Sequence, residues 1–168
     1  MNYSFTDRTG GLSTGAFLSR NVATHVGDNQ ATVLSNRAEL ENLLGSPIQY
    51  MNQVHGNRVA IIEAVTDEVP TADALVTGIP GITLAVMVAD CIPLLLKSKG
   101  AVASVHVGRK GLVNAVAEKA IEVMREISSA EISATIGPAI CGSCYEVSEE
   151  IFNEVTASHP ESASKTTQ

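Results

Sequence analysis

Three side chains that can bind a metal lie at the ends of short apolar runs. Cys91 separates the runs 82–88 and 92–96, and His55 and His106 each lie next to a turn that contains glycine. Two imidazoles and a thiolate suit zinc or copper, and three protein ligands leave a fourth position for water. Their spacing matches no short ligand motif. It therefore also fits a Cys91–His106 nucleophile–base pair, or a buried core thiol with histidines that satisfy backbone groups.

Two neighbouring features could assist such a centre. Asp90 adjoins Cys91 and could transfer a proton, or could cap a bend before Pro93. Gly108–Gly111 precedes a predicted helix, so its free N–H groups and the charge of Lys110 suit an anion. An ordinary strand–helix turn would show the same glycine pair.

A second thiol motif lies near the end of the chain. Cys141 and Cys144 form a CxxC pair, which could indicate redox chemistry or half of a zinc site. No second CxxC is present in the sequence. We therefore expect the pair to be neither disulfide-bonded nor metal-bound.

Strands and helices that would position these residues follow from the apolar periodicity. Two short strands are predicted within 3–27, and a helix capped by Asp28 is expected to end before Gly45, with Val33 and leucines 34, 40, 43 and 44 on one shared face. A second, continuous helix is predicted over 112–127 and a last one over 145–155. Further strands are predicted at 48–54, 58–64, 73–77, 82–88, 92–96, 101–107 and 131–136. This order predicts a layered α/β or α+β domain, with a mixed β-sheet core flanked by helices.

Composition limits the classes of function. The 168 residues predict one domain, 1–156, with a frayed or truncated tail over 157–168. A net charge of −7 with scattered cations argues against nucleic-acid binding. No apolar run reaches the ~20 residues of a membrane span, and the N-terminus lacks the pattern of a secretory signal. Three cysteines form no disulfide framework, so we expect a cytoplasmic protein with free thiols.

Several ordered blocks resemble the bacterial YfiH family, also called the laccase-domain or multicopper polyphenol oxidase family, whose members have also been named purine nucleoside phosphorylases. The blocks are QVHG (53–56), DALVT (73–77), ADCIPLLL (89–96), HVGRKG (106–111) and GPAICGSCYEV (137–147). The resemblance implies a YfiH-like fold, grouped with a bacterial toxin that uses a Cys–His pair. It also implies that His55, Cys91 and His106 are metal ligands, for zinc or else copper.

The function implied by the resemblance is metal-dependent phosphorolysis of adenosine, inosine or methylthioadenosine, with possible adenosine deamination. Asp90 is then the predicted catalytic group, and Lys110, Gly108 and Gly111 are the predicted substrate-binding residues for phosphate. The small-molecule partners are a purine nucleoside and phosphate. A trinuclear copper cluster is incompatible with a chain of 4 histidines, but a single copper in a polyphenol oxidase remains an alternative. A Cys–His thiol hydrolase that edits peptidoglycan precursors is another.

Two departures from the family pattern bear on these expectations. Where the family has a HAGWRG block, this chain has Val107, Arg109 and Lys110 in place of its Ala, Trp and Arg. Lysine, unlike arginine, cannot bind an oxyanion in bidentate fashion. Family members also continue past the CYEV block into a segment with an arginine-rich motif. We therefore expect this chain to be weakly active or inactive.

Overall fold

In the computed structural model, which describes residues 3–165, the chain forms seven strands and four α-helices. The strands are β1 (Ile48–Gln49), β2 (Val59–Ile61), β3 (Ala74–Thr77), β4 (Thr83–Leu84), β5 (Ile92–Lys97), β6 (Val102–Val107) and β7 (Ser133–Ile136). The helices are α1 (Gln30–Leu44), α2 (Arg109–Val113), α3 (Val116–Ile127) and α4 (Glu149–Ser158). None of the described helices has the length and apolar character needed to cross a membrane.

Five of these strands form a mixed sheet in the order β2-β3-β6-β5-β7. The β2–β3 pair is parallel and the other three pairs are antiparallel. Strands β1 and β4 form a separate parallel pair. The α+β class with a mixed sheet flanked by helices is therefore confirmed.

Alternation along the central strand β3 divides the core into two layers. Ala74 and Val76 pack with α3 through Val116, Ala120 and Met124, all fully buried. Leu75, on the opposite face of the sheet, packs with Met51 and Ile62. A third cluster joins α1 to the β1–β4 pair through residues Leu40, Ile48 and Tyr50. The site described below lies at one end of the central strands.

The predicted strands are confirmed at β3 and β6, which are buried along nearly their whole length, and at β5, which is half-buried. The prediction for 82–88 was wrong beyond β4, because the Gln53 side chain, rather than a strand, binds the backbone N–H and carbonyl of Met87. No strand forms in the described part of 3–27, where Gly15–Phe17 is a 3₁₀ turn. Some backbone groups of this segment form hydrogen bonds with side chains instead of a neighbouring strand, as the N–H of Leu12 and the carbonyl of Asn21 do with Asn36.

The helix predictions need four corrections. The continuous helix over 112–127 is broken, because Ala115 has a left-handed φ of 60° between α2 and α3. Asn29, not Asp28, caps α1, and its side chain accepts from the N–H of Thr32. Of the residues expected on one apolar face of α1, Val33 and Leu40 are buried, whereas leucines 34, 43 and 44 are exposed. The last helix begins at Glu149 rather than 145 and ends at Ser158 rather than 155.

Candidate metal centre

The structure brings His55, Cys91 and His106 together from three separate parts of the chain. One ligand atom from each lies within 4.8 Å of the other two. The Cys91 Sγ lies 3.8 Å from His55 Nε2, and the two imidazole rings meet edge-on with centroids 4.7 Å apart. The convergence expected of a metal centre is therefore present, and this group could bind a metal.

Sheet register explains why Cys91, directly before β5, lies close to His106 near the end of β6. In the antiparallel β5–β6 pair, Ile92 is opposite Val107. Cys91 and Gly108 are the next residues outward, so they face each other where the strands end. His106 is the penultimate residue of β6 and is 3% exposed, which places its ring against the core.

His55 reaches the same place from the loop between β1 and β2. Its backbone adopts a left-handed φ of 59°, which is unfavourable for a residue with a side chain. The backbone N–H groups of His55 and Gly56 donate to the two oxygens of the Asp73 carboxylate at 2.9 and 2.7 Å. The N–H of Val54 donates to the same carboxylate at 3.3 Å. Asp73 thus stabilises the loop in the conformation that presents His55.

Asp73 also fixes the ring of the second histidine. Its Oδ1 lies 2.8 Å from Nδ1 of His106, and both side chains are buried. Because a carboxylate only accepts, Nδ1 carries the proton and donates. The lone pair of Nε2 is then free for a metal, the arrangement that carboxylate–histidine pairs give at metal sites.

Electrostatics at the site favour a cation. Burial alone would raise the pKa of Asp73, but the hydrogen bonds from His106 and the backbone of Gly56 outweigh it, so the pKa lies below its usual value. The carboxylate is therefore ionised at neutral pH. Burial, followed by the charges of Asp90 and Asp73, raises the pKa of the Cys91 thiol. A bound divalent cation would offset these negative charges and stabilise the thiolate.

The residues present fit a single metal ion. Two imidazole nitrogens and one sulfur form a donor set suited to zinc or copper. A Cβ at Gly108 would lie 2.8 Å from Cδ2 of His55 and 3.1 Å from Sγ of Cys91. Only glycine there lets the backbone approach the ligand atoms without displacing them. Within residues 3–165 this is the one group of three or more such ligands.

The other predicted site residues lie around this group with different exposure. Asp90 is exposed, and its carbonyl accepts from the N–H of Ile140. Lys110 is exposed on α2, a helix of only five residues. Gly108 and Gly111 are buried, and a Cβ at Gly111 would meet Val116 at 3.1 Å, so that glycine has a packing role. The adjacent guanidinium of Arg109 pairs with Glu154 on α4 at 2.8 Å.

Sequence reasoning missed two residues that organise the centre. Asp73 was assigned no role beyond the start of the predicted strand 73–77. The signal that could have identified it is an acidic residue directly before a buried apolar run. Gln53 was noted only in the QVHG block, yet its side chain joins the His55 loop to the segment that leads to Cys91.

Comparisons with known proteins agree with this geometry. The family described as multi-copper polyphenol oxidoreductase laccase matches residues 2–168. A purine nucleoside phosphorylase from Streptomyces coelicolor is 41% identical over 174 residues, covering 98% of this chain and 72% of the relative. The resemblance seen in the sequence is thereby confirmed.

Solved structures show the same fold. A DUF152-family protein from Neisseria meningitidis superposes with a TM-score of 0.84 at 38% identity, covering 92% of this chain. YfiH from Bacillus licheniformis superposes with a TM-score of 0.79 at 29% identity, covering 88% of this chain. The chain spans 64% and 61% of the length of these two structures.

Proposed function

Since the chain belongs to the multi-copper polyphenol oxidoreductase laccase family, and since relatives are named purine nucleoside phosphorylase, we propose that it contributes the metal centre of an enzyme that cleaves purine nucleosides with phosphate. The observation that carries the proposal is the convergence of His55, Cys91 and His106 around one point. Zinc is the proposed metal, with copper as the alternative, and it would supply Lewis-acid chemistry.

In this proposal the chain's own residues bind and orient. Asp73 holds both histidines in place through the hydrogen bonds described above. Lys110 and the backbone at Gly108–Gly111 bind phosphate. This segment begins at Gly108, directly beside the side chains of His55 and Cys91. A phosphate oxygen attacks C1′ of the ribose, the bond from C1′ to the base nitrogen breaks, and the base leaves. Asp90, exposed beside Cys91, transfers the proton that the leaving base requires.

The proposed substrates are adenosine, inosine and methylthioadenosine. Deamination of adenosine at the same centre is a further part of the proposal, since hydrolysis of the amino group needs a polarised water and a proton-transfer group. Both reactions use the same three ligands, so loss of Cys91 should remove both.

A Cys–His thiol hydrolase is less well supported by the geometry. Reactive cysteines have lowered pKa values, whereas burial raises the pKa of the Cys91 thiol here. The hydrogen-bond contact of its sulfur is with His55 rather than with the predicted base His106. A multicopper oxidase would need a further cluster of histidines, and residues 3–165 hold a single group.

The test is release of hypoxanthine from inosine with and without phosphate, with protein in excess so that slow turnover is detected. We expect release only with phosphate, and loss of release in Cys91→Ser, because an alcohol is a poorer zinc ligand than a thiolate. Cys144→Ser, an exposed thiol outside the centre, is the matched control and should keep the activity. Full activity after metal removal would favour the thiol hydrolase, and release without phosphate would indicate hydrolysis.

A further inference from the structure

The CxxC pair lies on an exposed turn between β7 and α4. The N–H of Cys144 donates to the carbonyl of Cys141 at 3.0 Å, the hydrogen bond that closes a β-turn. The ends of such a turn have Cα atoms less than about 7 Å apart, and disulfides span Cα separations of about 4.4–6.8 Å. Both thiols are free and exposed. The backbone therefore already holds the two cysteines at a distance that a disulfide can bridge.

The two sulfurs are in unequal surroundings. The pKa of the Cys141 thiol is lowered first by hydrogen bonding with the Cys144 side chain, and further by hydrogen bonding with the backbone of Cys144 and Ser143. The hydrogen bond with the Cys141 side chain and the negative charge of the Cys141 thiolate raise the pKa of Cys144. Cys141 is therefore the thiol expected to react first with a disulfide, and Cys144 the thiol expected to react second.

We propose that Cys141 and Cys144 form a redox-active dithiol whose oxidants are low-molecular-weight disulfides. The Cys141 thiolate attacks one sulfur of the small disulfide, which breaks its S–S bond and releases one thiolate. The Cys144 thiol loses its proton and attacks the Cys141 sulfur of the mixed disulfide, which releases the second small thiolate. The protein is oxidised by two electrons, and the small disulfide is reduced to two thiols.

The third cysteine provides an internal comparison. Cys91 is half-buried, whereas Cys141 is exposed, so Cys91 should react more slowly than Cys141. The turn lies close to Cys91 in space, because Ile140, which precedes Cys141, donates its N–H to the carbonyl of Asp90, which precedes Cys91. Preferential oxidation of Cys141 over Cys91 is therefore a demanding test of the proposal. The test requires neither a bound metal nor a nucleoside.

The experiment exposes the 168-residue chain to glutathione disulfide in the presence of a metal chelator, followed by acid quenching, alkylation and tryptic mass spectrometry. Trypsin separates Cys91, in peptide 59–97, from the CxxC pair, in peptide 126–165. We expect peptide 126–165 to become lighter by two hydrogen atoms and to resist alkylation, while Cys91 stays alkylated. Dithiothreitol should restore both thiols.

Two variants test the order of attack. Cys144→Ser should accumulate the glutathione adduct on Cys141, because the second attack is removed. Cys141→Ser should form an adduct on Cys144 more slowly than Cys144→Ser forms one on Cys141, since the backbone hydrogen bonds that lower the pKa of Cys141 have no counterpart at Cys144. Adducts on both cysteines of the wild-type protein without an internal disulfide would overturn the proposal, as would faster modification of Cys91. Circular dichroism of each variant checks that these exposed substitutions leave the fold intact.

Discussion

Asp73 connects the two histidines of the centre through different parts of its carboxylate. It accepts from the His106 ring and from three consecutive backbone N–H groups of the His55 loop. Removing one buried acceptor should therefore loosen two of the proposed ligands at once. Its position before β3, in the middle of the sheet, makes this possible because β3 pairs with the strand that carries His106.

Replacing Asp73 by Asn should weaken metal binding by roughly 10- to 100-fold, the range found when the partners of metal-bound histidines are removed. The amide nitrogen has hydrogens where the carboxylate accepts from backbone N–H groups, so one histidine loses its orientation. Competition with a chromophoric zinc chelator measures the affinity. Asp67→Asn, an exposed aspartate on the next loop, is the control. Equal affinities in the two variants would show that Asp73 does not position the ligands.

The three proposed ligands could be suggested from the sequence because histidine and cysteine are chemically conspicuous beside apolar runs. Asp73 could not be assigned its role in the same way. Its partners are the N–H groups of residues 17 to 19 positions earlier and a ring 33 positions later. Nothing local in the sequence shows contacts at that separation. The left-handed backbone of His55 is equally hidden, since it depends on the hydrogen bonds to Asp73.

At the scale of elements, the strands buried on both faces were predictable and the helix break was not. Strands β5 and β6 are mostly apolar, broken by Lys97 at the end of β5 and by Ser104 and His106 in β6, which is close to the pattern of strands buried on both faces. The break at Ala115 has no glycine or proline to indicate it. It is compensated by tertiary contact, because the Asn57 side chain donates to the carbonyl of Asn114 at 2.8 Å. A residue 57 positions away thus helps to end α2.

Ala115→Gly should stabilise the protein, because glycine adopts the left-handed conformation of this residue without the cost that alanine has. The left-handed conformation costs alanine about 1–2 kcal/mol, and the greater freedom of glycine in the unfolded chain offsets about 0.4–1 kcal/mol of this, so a gain of roughly 1 kcal/mol or less is expected. The same substitution at Ala38, exposed in the middle of α1, should instead cost about 0.8–1 kcal/mol. Urea unfolding of both variants measures the difference. A loss of stability at Ala115 would contradict the strained-backbone interpretation.

One buried amide makes three of the hydrogen bonds that attach the N-terminal segment to α1. Asn36 accepts from the N–H of Leu12 at 2.8 Å, and donates to the hydroxyl of Ser13 and the carbonyl of Asn21. Such a polar side chain in the middle of a helix contradicts a simple apolar stripe. It explains why the leucine positions alone predicted the buried face of α1 incorrectly.

Asn36→Ala should lower the free energy of unfolding by about 1–3 kcal/mol, since buried polar groups of the N-terminal segment lose their partner. Ser35→Ala on the exposed side of the same helix is the control, and a change within about 0.5 kcal/mol is expected. Urea denaturation followed by circular dichroism gives both values. If the two variants are equally stable, the segment is held by other contacts.

At the scale of the whole molecule, the distribution of histidines limits the centre to one metal. Two of the 4 histidines lie in the group with Cys91. His159 lies at the far end of α4, 3.8 Å from a carboxylate oxygen of Glu161. His25 is exposed in the N-terminal segment. Neither joins the group with Cys91, and the net charge of −7 favours cation binding without adding ligands.

The purified chain should therefore bind one zinc or copper ion, and Cys91→Ser should bind none at the same free metal concentration. The physical reason is that a structural thiolate contributes a large part of the affinity of such a donor set, and the remaining two imidazoles hold the ion weakly. Inductively coupled plasma mass spectrometry of protein made without a histidine tag, dialysed against a weak chelator, gives the ratio of metal to chain. His159→Gln, a histidine outside the centre, is the matched control and should keep the ratio of the wild type. Three or more coppers per chain would contradict a single centre, and an unchanged ratio in Cys91→Ser would remove that thiol from the ligand set.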